Sequence, residues 1–166
     1  NIKKLRVDKE GAGMGWGAVY AQYLESMDQI SGQGNGLSVS RQLYKGDEAL
    51  NESAPLKVGD KITVRLTVKA DRDMDFVQIK DDRAACMEPL QAVSGFRWSN
   101  GLGYYQATKD ASTQFFIDQM RKGTYVIEYQ VYVNRTGEYQ AGIATVQSAY
   151  APEFGGHTGG YRVMVE

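Results

Sequence analysis

The chain reads as all-β, an antiparallel two-sheet β-sandwich with at most a short helix, and three observations predict it. Lys61–Ala70, KITVRLTVKA, sets Ile62, Val64, Leu66 and Val68 on one side and Lys61, Thr63, Arg65, Thr67 and Lys69 on the other. Successive strand side chains point to opposite faces, so this run is a strand with one dry and one wet face. Residues 124–135 repeat the pattern: Tyr125, Ile127, Tyr129, Val131 and Val133 alternate with Thr124, Val126, Glu128, Gln130, Tyr132 and Asn134. Turn-forming residues open both runs, Val58-Gly59-Asp60 before the first and Arg121-Lys122-Gly123 before the second, and the latter is short enough for a hairpin.

The remaining elements follow in order. Residues 2–7 suit a short strand on Ile2, Leu5 and Val7, and residues 1–15 as a whole a strand or an arm. Gly11-Ala12-Gly13-Met14-Gly15 is a flexible connector. Residues 16–24, WGAVYAQYL, are aromatic and β-branched enough for a strand, although Ala18 and Ala21 leave a helix open. Residues 25–30 suit one helical turn and 31–36, SGQGNG, a loop. Residues 37–44 alternate again with Leu37, Val39 and Leu43, and 45–56 are a polar loop. Residues 74–80 form a strand with Val77 and Ile79 on one face; 81–100 are irregular and 101–112 a loop rich in Gly and Tyr. Residues 113–120 are a strand on Phe115 and Ile117, 136–138 turn, and 139–146 return. Residues 154–160, FGGHTGG, form a mobile loop, and Tyr161, Val163 and Val165 align in a last strand. Roughly eight or nine strands punctuated by turns suggest a sandwich. With no internal repeat and no linker, residues 1–166 form one domain. The opening Asn1-Ile2, without Met, predicts a fragment of a larger multidomain protein.

Composition narrows the function classes. The 166 residues suffice for a full core. A net charge of −1 from 19 basic and 20 acidic residues, with no basic stripe, argues against a nucleic-acid partner. No apolar run approaches the ~18 residues of a membrane span. One cysteine, Cys86, allows neither an intrachain disulfide nor a cysteine metal cluster, and leaves the compartment open.

The chain offers little chemistry. Its one histidine, His157, sits in the Gly-rich loop, and a Cys86–His157 nucleophile would still need an orienting group and an oxyanion site; a structural thiol is the stronger reading of Cys86. Zinc lacks ligands. Asp71, Asp73, Asp75, Asp81 and Asp82 are interleaved with Arg72 and Arg83, which suits a charged turn better than a calcium loop. The glycines at 11, 13 and 15 and at 32, 34 and 36 miss the dinucleotide fingerprint. No catalytic residue, metal ligand or cofactor site is therefore assigned. The aromatic cluster Phe96, Trp98, Tyr104 and Tyr105 suits a cap over the core, a protein contact or a sugar-stacking surface. Arg83, between acidic residues and an apolar patch, is either a buried or interfacial ion-pair partner or a solvated arginine.

One ordered set of motifs carries a resemblance. It runs Gly59-Asp60-Lys61, Val64-Arg65-Leu66-Thr67, Asp71-Arg72-Asp73-Met74-Asp75-Phe76-Val77, then Asp81-Asp82-Arg83-Ala84-Ala85-Cys86-Met87-Glu88-Pro89. It continues through Ser94-Gly95-Phe96-Arg97-Trp98, Gly103-Tyr104-Tyr105-Gln106, Lys122-Gly123-Thr124-Tyr125, Gly137-Glu138-Tyr139 and Ala149-Tyr150-Ala151-Pro152-Glu153-Phe154. From residue 16 onward the chain resembles the carboxy-terminal, receptor-binding-like macroglobulin domain of bacterial alpha-2-macroglobulins, with residues 16–23 resembling its opening strand.

The resemblance implies a β-sandwich within a large, exported and often lipid-anchored envelope protein, on its periplasmic or cell-surface side. Such proteins trap peptidases: bait cleavage triggers a rearrangement, and in many members a Cys-x-x-Gln thioester captures the attacker. Here Cys86 is followed by Met87, Glu88 and Pro89, so this segment carries no such thioester. The implied role is non-catalytic. The partners are neighbouring domains, including a thioester-type domain where the parent has one, and indirectly peptidases. The contacts would restrain the uncleaved arrangement, with Arg83, Phe96, Trp98, Tyr104 and Tyr105 as candidates and residues 81–109 as the place to look. The alternative is a surface module binding glycans or other ligands through Trp98, Tyr104 and Tyr105.

Overall fold

The computed structural model describes residues 6–20, 22, 24–51 and 54–166. The strand expected at 2–7 lies largely outside the described residues. The strands are β1 (Gln33–Asn35), β2 (Leu37–Lys45), β3 (Glu48–Ala49), β4 (Lys61–Ala70), β5 (Met74–Asp82), β6 (Met87–Pro89), β7 (Gly95–Ser99), β8 (Leu102–Thr108), β9 (Ser112–Met120), β10 (Gly123–Val133), β11 (Gly137–Ala141), β12 (Ala144–Ser148), β13 (Gly155–His157) and β14 (Tyr161–Val165). Among the described residues one 3-10 turn, Met27–Gln29, is the helical content.

Hydrogen bonds link the strands in the order β6-β10-β4-β2-β1-β13-β12-β5-β9-β8-β7, with β3 on β2 and β11–β14 as a separate pair. The pairings between these strands are antiparallel; a parallel bridge from Leu56 to Val165 ties β14 to the 3–4 connection. The path folds over on itself. Phe115 of β9 packs on Tyr129 of β10 with ring centroids 5.9 Å apart, and Asp81 of β5 meets both Tyr129 and Arg41 of β2. So β6-β10-β4-β2 is one layer, β12-β5-β9-β8-β7 the other, and β1 with β13 turns the corner. That corner is built on close backbone approach: a Cβ on Gly34 would lie 2.6 Å from the Leu37 carbonyl oxygen, and one on Gly156 would lie 2.7 Å from the carbonyl oxygens of Gln33 and Leu37.

The alternation read in the sequence becomes the core. Ile62, Val64 and Leu66 of β4 stand opposite Val131, Tyr129 and Ile127 of β10, and all six are buried. Val77, Ile79, Phe115, Ile117 and Met120 close over them from the second layer. Each large aliphatic or Phe side chain buried this way is worth about 1.5–3 kcal/mol over leaving it in water. The alternation slips in the middle of the β5–β9 pair. Phe76 has φ +53°, and β5 then buries Met74 and Val77 with two exposed residues between; β9 mirrors this with Met120 and Ile117.

Several expectations need correction. The described residues of 16–24 form no strand and are exposed. Residues 31–36 include β1, and 154–160 include β13, because glycine backbones there pair across the corner. Residues 139–146 are divided between β11 and β12, which lie in different sheets. The largest difference is at 81–112, where β6, β7 and β8 replace irregular chain and loop. The β7–β8 connection is the two-residue turn Asn100-Gly101, both with positive φ (51° and 78°), between paired Ser99 and Leu102. Asn-Gly is the pair that such a hairpin turn favours.

Candidate contact surface

The β7–β8 hairpin decides what the aromatic cluster is. Phe96 and Trp98 are two apart on β7 and share a face; Phe96 stands opposite Tyr105, and Trp98 opposite Gly103. Neighbours on a strand point to opposite sides, so Tyr104 and Tyr105 part company. Tyr104 is buried and packs edge-on against Phe115, centroids 5.7 Å apart. Burial, slightly offset by the Arg97 charge, pushes its phenol pKa up. Within this structure Tyr104 is a core residue, and the sequence reading grouped it with Tyr105 because it took 101–112 for a loop.

The outer face keeps the other three. Phe96 is 80% exposed and Trp98 76%. The Phe96 and Tyr105 rings meet edge-on at 5.1 Å. Gly103 lets the Trp98 indole lie on the sheet: a Cβ there would be 2.9 Å from ring carbons Cε3 and Cζ3. Phe116 of β9, opposite Tyr105, joins them. These side chains line a shallow cleft of about 570 Å³ with Asp118. Asp118 in turn lies across from the slip at Phe76, whose ring meets exposed Tyr150 edge-on at 5.0 Å. One outward sheet face therefore carries two aromatic pairs. The sequence offered none of Phe76, Phe116 and Tyr150 as a contact residue, although outward register on alternating strands was the available signal for Phe116.

Arg83 lies elsewhere. It is buried just beyond β5 and donates to Thr113 Oγ1 at 2.6 Å, to the Asp110 carbonyl at 2.9 Å and to the Lys109 carbonyl. Its Nε is buried without a hydrogen-bond partner among the described residues. The guanidinium fastens the β8–β9 turn to the end of β5, and its described partners are a hydroxyl and carbonyls rather than a carboxylate. Cys86 is fully buried, and burial pushes its thiol pKa up, the reverse of what a thiolate nucleophile needs. His157 sits in β13, its Nδ1 3.0 Å from the Thr158 carbonyl. Among the described residues no three His, Cys, Asp or Glu side chains gather to hold a metal, and no helix is long and apolar enough to cross a membrane.

A family model described as the bacterial alpha-2-macroglobulin MG10 domain matches residues 36–153. The chain belongs to that family. Among solved structures, a Salmonella alpha-2-macroglobulin mutant is similar with a TM-score of 0.70 and 19% identity, over 82% of this chain and 10% of that one. Native Escherichia coli alpha-2-macroglobulin, spanning domain MG7 to the C-terminus, is similar with a TM-score of 0.68 and 17% identity, over 81% of this chain and 24% of that one. These likenesses show the macroglobulin fold. In sequence, Circularly permutated Ras protein 2 of Dictyostelium discoideum is 27% identical over 169 residues, 98% of this chain and 4% of that protein. The chain thus spans a tenth to a quarter of those two solved chains and a twenty-fifth of that curated protein.

Proposed function

We propose that this MG10 domain is a non-catalytic terminal part of a bacterial alpha-2-macroglobulin-like peptidase inhibitor, and that its aromatic outer face contacts neighbouring domains to hold the arrangement that precedes bait cleavage. The parent would be exported and lipid-anchored, on the periplasmic or cell-surface side of the envelope. The observation that carries the reading is the exposure of Phe96 and Trp98 on a flat sheet face that already has a complete core beneath it. Aromatic side chains are enriched at the centres of protein contacts and costly to leave in water. Nothing about the fold requires them there, since the buried side of β8 is filled by Tyr104 and Leu102.

The test replaces Phe96, Trp98 and Tyr105 with Ala in the full-length parent. The expected result is a native form that rearranges without bait cleavage, seen as a shift in mobility on native gels and as new sites of limited proteolysis. The isolated domain should keep its melting temperature within a few degrees, because the three side chains lie outside the core. A parent that keeps its native mobility and its resistance to proteolysis would overturn the reading. So would saturable binding of the isolated domain to a glycan panel that the triple substitution abolishes, since that is the behaviour of a sugar-stacking module.

A further inference from the structure

The two ends of the folded-over sheet path meet on the side away from the β1–β13 corner, and they do not close. There β7 and β8 of one layer face β6 and β10 of the other. A cleft of about 100 Å³ lies between them, lined by Arg97, Tyr104, Gln106 and the stretch Glu128-Tyr129-Gln130. Two hydrogen bonds fix its width. Asn100 Nδ2, at the hairpin tip, donates to the Val126 carbonyl at 3.2 Å, and Leu90 N, just past β6, donates to the Gln130 carbonyl at 2.9 Å.

One wall carries three polar side chains. Arg97 of β7 stands opposite Tyr104 of β8, and Gln106 follows two residues on, so all three share the inward side. Tyr104 and Gln106 are 6% and 5% exposed. Buried polar groups are as a rule hydrogen-bonded, yet among the described residues neither the Tyr104 hydroxyl nor the Gln106 amide makes a hydrogen bond. Arg97 is little better served. Its hydrogen bonds, to the Phe96 and Val93 carbonyls, are both 3.4 Å long, beyond the usual range. It takes part in none of the salt bridges of the described residues. Burial raises the Tyr104 phenol pKa and the Arg97 charge pulls against it, which sets the guanidinium near that hydroxyl.

The other wall adds a main-chain donor. Val126 and Gln130 turn their carbonyls away from β4, to Asn100 and Leu90. Glu128 lies midway between them, so its N–H and C=O turn the same way, where no hydrogen bond of the described residues meets them. Its carboxylate is held by Arg65 instead. A guanidinium fork, a hydroxyl, an amide and an N–H thus line one space that admits a carboxylate or a few waters. Waters would serve the hydroxyl and the amide, but they leave the guanidinium without a counter-charge. A carboxylate serves every donor, because its two oxygens match the planar fork.

We propose that this cleft binds a carboxylate group, with Arg97 as its bidentate partner and Tyr104 Oη, the Gln106 amide and Glu128 N–H as supporting donors. Two sources supply that chemistry: an acidic side chain on an extended segment laid along the free edge of β10, or a small free carboxylic acid. The site is independent of the aromatic outer face, which lies on the opposite side of the hairpin.

Titration of the 166-residue chain, followed in 15N correlation spectra, tests it. The probes are acetate and a blocked alanine pentapeptide with a central glutamate, each against chloride at equal ionic strength. Both should shift the Glu128 amide, the Gln106 side-chain amide and the Arg97 Nε–H saturably, and chloride should not. Arg97→Ala should weaken both probes at least about 10-fold, and Tyr104→Phe, which keeps the ring on Phe115, about 3-fold. Both variants should otherwise keep the parent spectrum. The relative affinity assigns the source. A peptide at least about 10-fold tighter than acetate means a protein segment, since it adds main-chain pairing, and acetate as tight as the peptide means a free acid. Three results overturn the proposal: no saturable shift at these resonances with either probe, equal shifts with chloride, or affinities that both substitutions leave unchanged.

Discussion

Two arginines of this domain each pair with a carboxylate and stack on a tyrosine, in opposite surroundings. Arg41 of β2 donates to the Asp81 carboxylate and to the Gly142 carbonyl at 2.6 Å, and its guanidinium lies 4.5 Å from the centre of the Tyr161 ring. Arg65 of β4 donates from Nε to Glu128 at 2.5 Å and from Nη1 to the Tyr44 hydroxyl at 2.9 Å, and lies 4.3 Å from the centre of the Tyr44 ring. Each is an arginine, a carboxylate and a tyrosine. The Arg41 and Asp81 side chains are 5% and 1% exposed, those of Arg65 and Glu128 42% and 44%. Water decides what each set is worth. The buried set joins β2 to β5 across the two layers, and Tyr129 of β10 adds a hydroxyl to Asp81 at 2.8 Å. The exposed set decorates one sheet, across the directly paired residues Arg65 and Glu128.

The largest expected effect is therefore at Asp81. Asp81→Ala leaves a buried guanidinium without its counter-charge, and removing one partner of a buried pair costs about 3–5 kcal/mol. Urea denaturation of the isolated domain measures it. Replacing the pair together, Arg41→Met with Asp81→Leu, should recover most of that loss, because the desolvation of both charges disappears with them. A single substitution that costs less than about 1 kcal/mol, the range of exposed pairs, would show that the interior reaches more water than its burial implies and would break the contrast.

A second effect separates the two sets by pH. Burial, more than the nearby Asp81 charge, pushes the Tyr129 phenol well up and the Tyr161 phenol up to about 12, against the pull of Arg41 on the latter. An unfolded tyrosine ionises near ~10. The folded protein therefore holds these protons where the unfolded chain has released them. The stability they contribute is fully present below pH ~10 and is lost as pH rises toward about 12. Denaturation midpoints should fall across that window, and tyrosine absorbance should show a class of phenols ionising after the exposed ones. Asp81→Asn should move that class to lower pH, since it removes one of the charges that raise it. A single ionisation step near ~10 with the protein still folded would mean the buried set is not sealed.

How much of this was legible in the sequence follows from which faces are apolar. β4 and β10 were readable residue by residue, because their inner faces are Ile, Val, Leu and Tyr and their outer faces charged or polar. Arg41 and Asp81 were not, since a charge at an inward position looks like an outward one until its partner, 40 positions away, is in place. β7 and β8 escaped for a related reason: their inner faces carry Tyr104 and Gln106, and glycines at 101 and 103 suggested a loop. The Asn100-Gly101 turn was the signal to use. Phe96, Trp98, Tyr104 and Tyr105 were read together because they are close in sequence, but the register that keeps Tyr105 outside and sends Tyr104 into the core needed the hairpin.

The smallest effect is the one that distance alone would rank highest. Glu128 accepts from Arg65 at 2.5 Å, and the Glu128 charge, acting through that hydrogen bond, raises the Arg65 pKa. In water, though, the gain from pairing is offset by the cost of holding two long side chains still and is screened by salt. Glu128→Gln should leave the melting temperature unresolved from that of the parent domain, in low salt and in 0.5 M salt alike. Arg65→Ala should lower it more, because it also strips the guanidinium and its methylene stem from the Tyr44 ring. If Glu128→Gln instead lowers the melting temperature as much as Arg65→Ala, the carboxylate rather than the stacked ring anchors Arg65. The exposed set would then behave like the buried one despite its access to solvent.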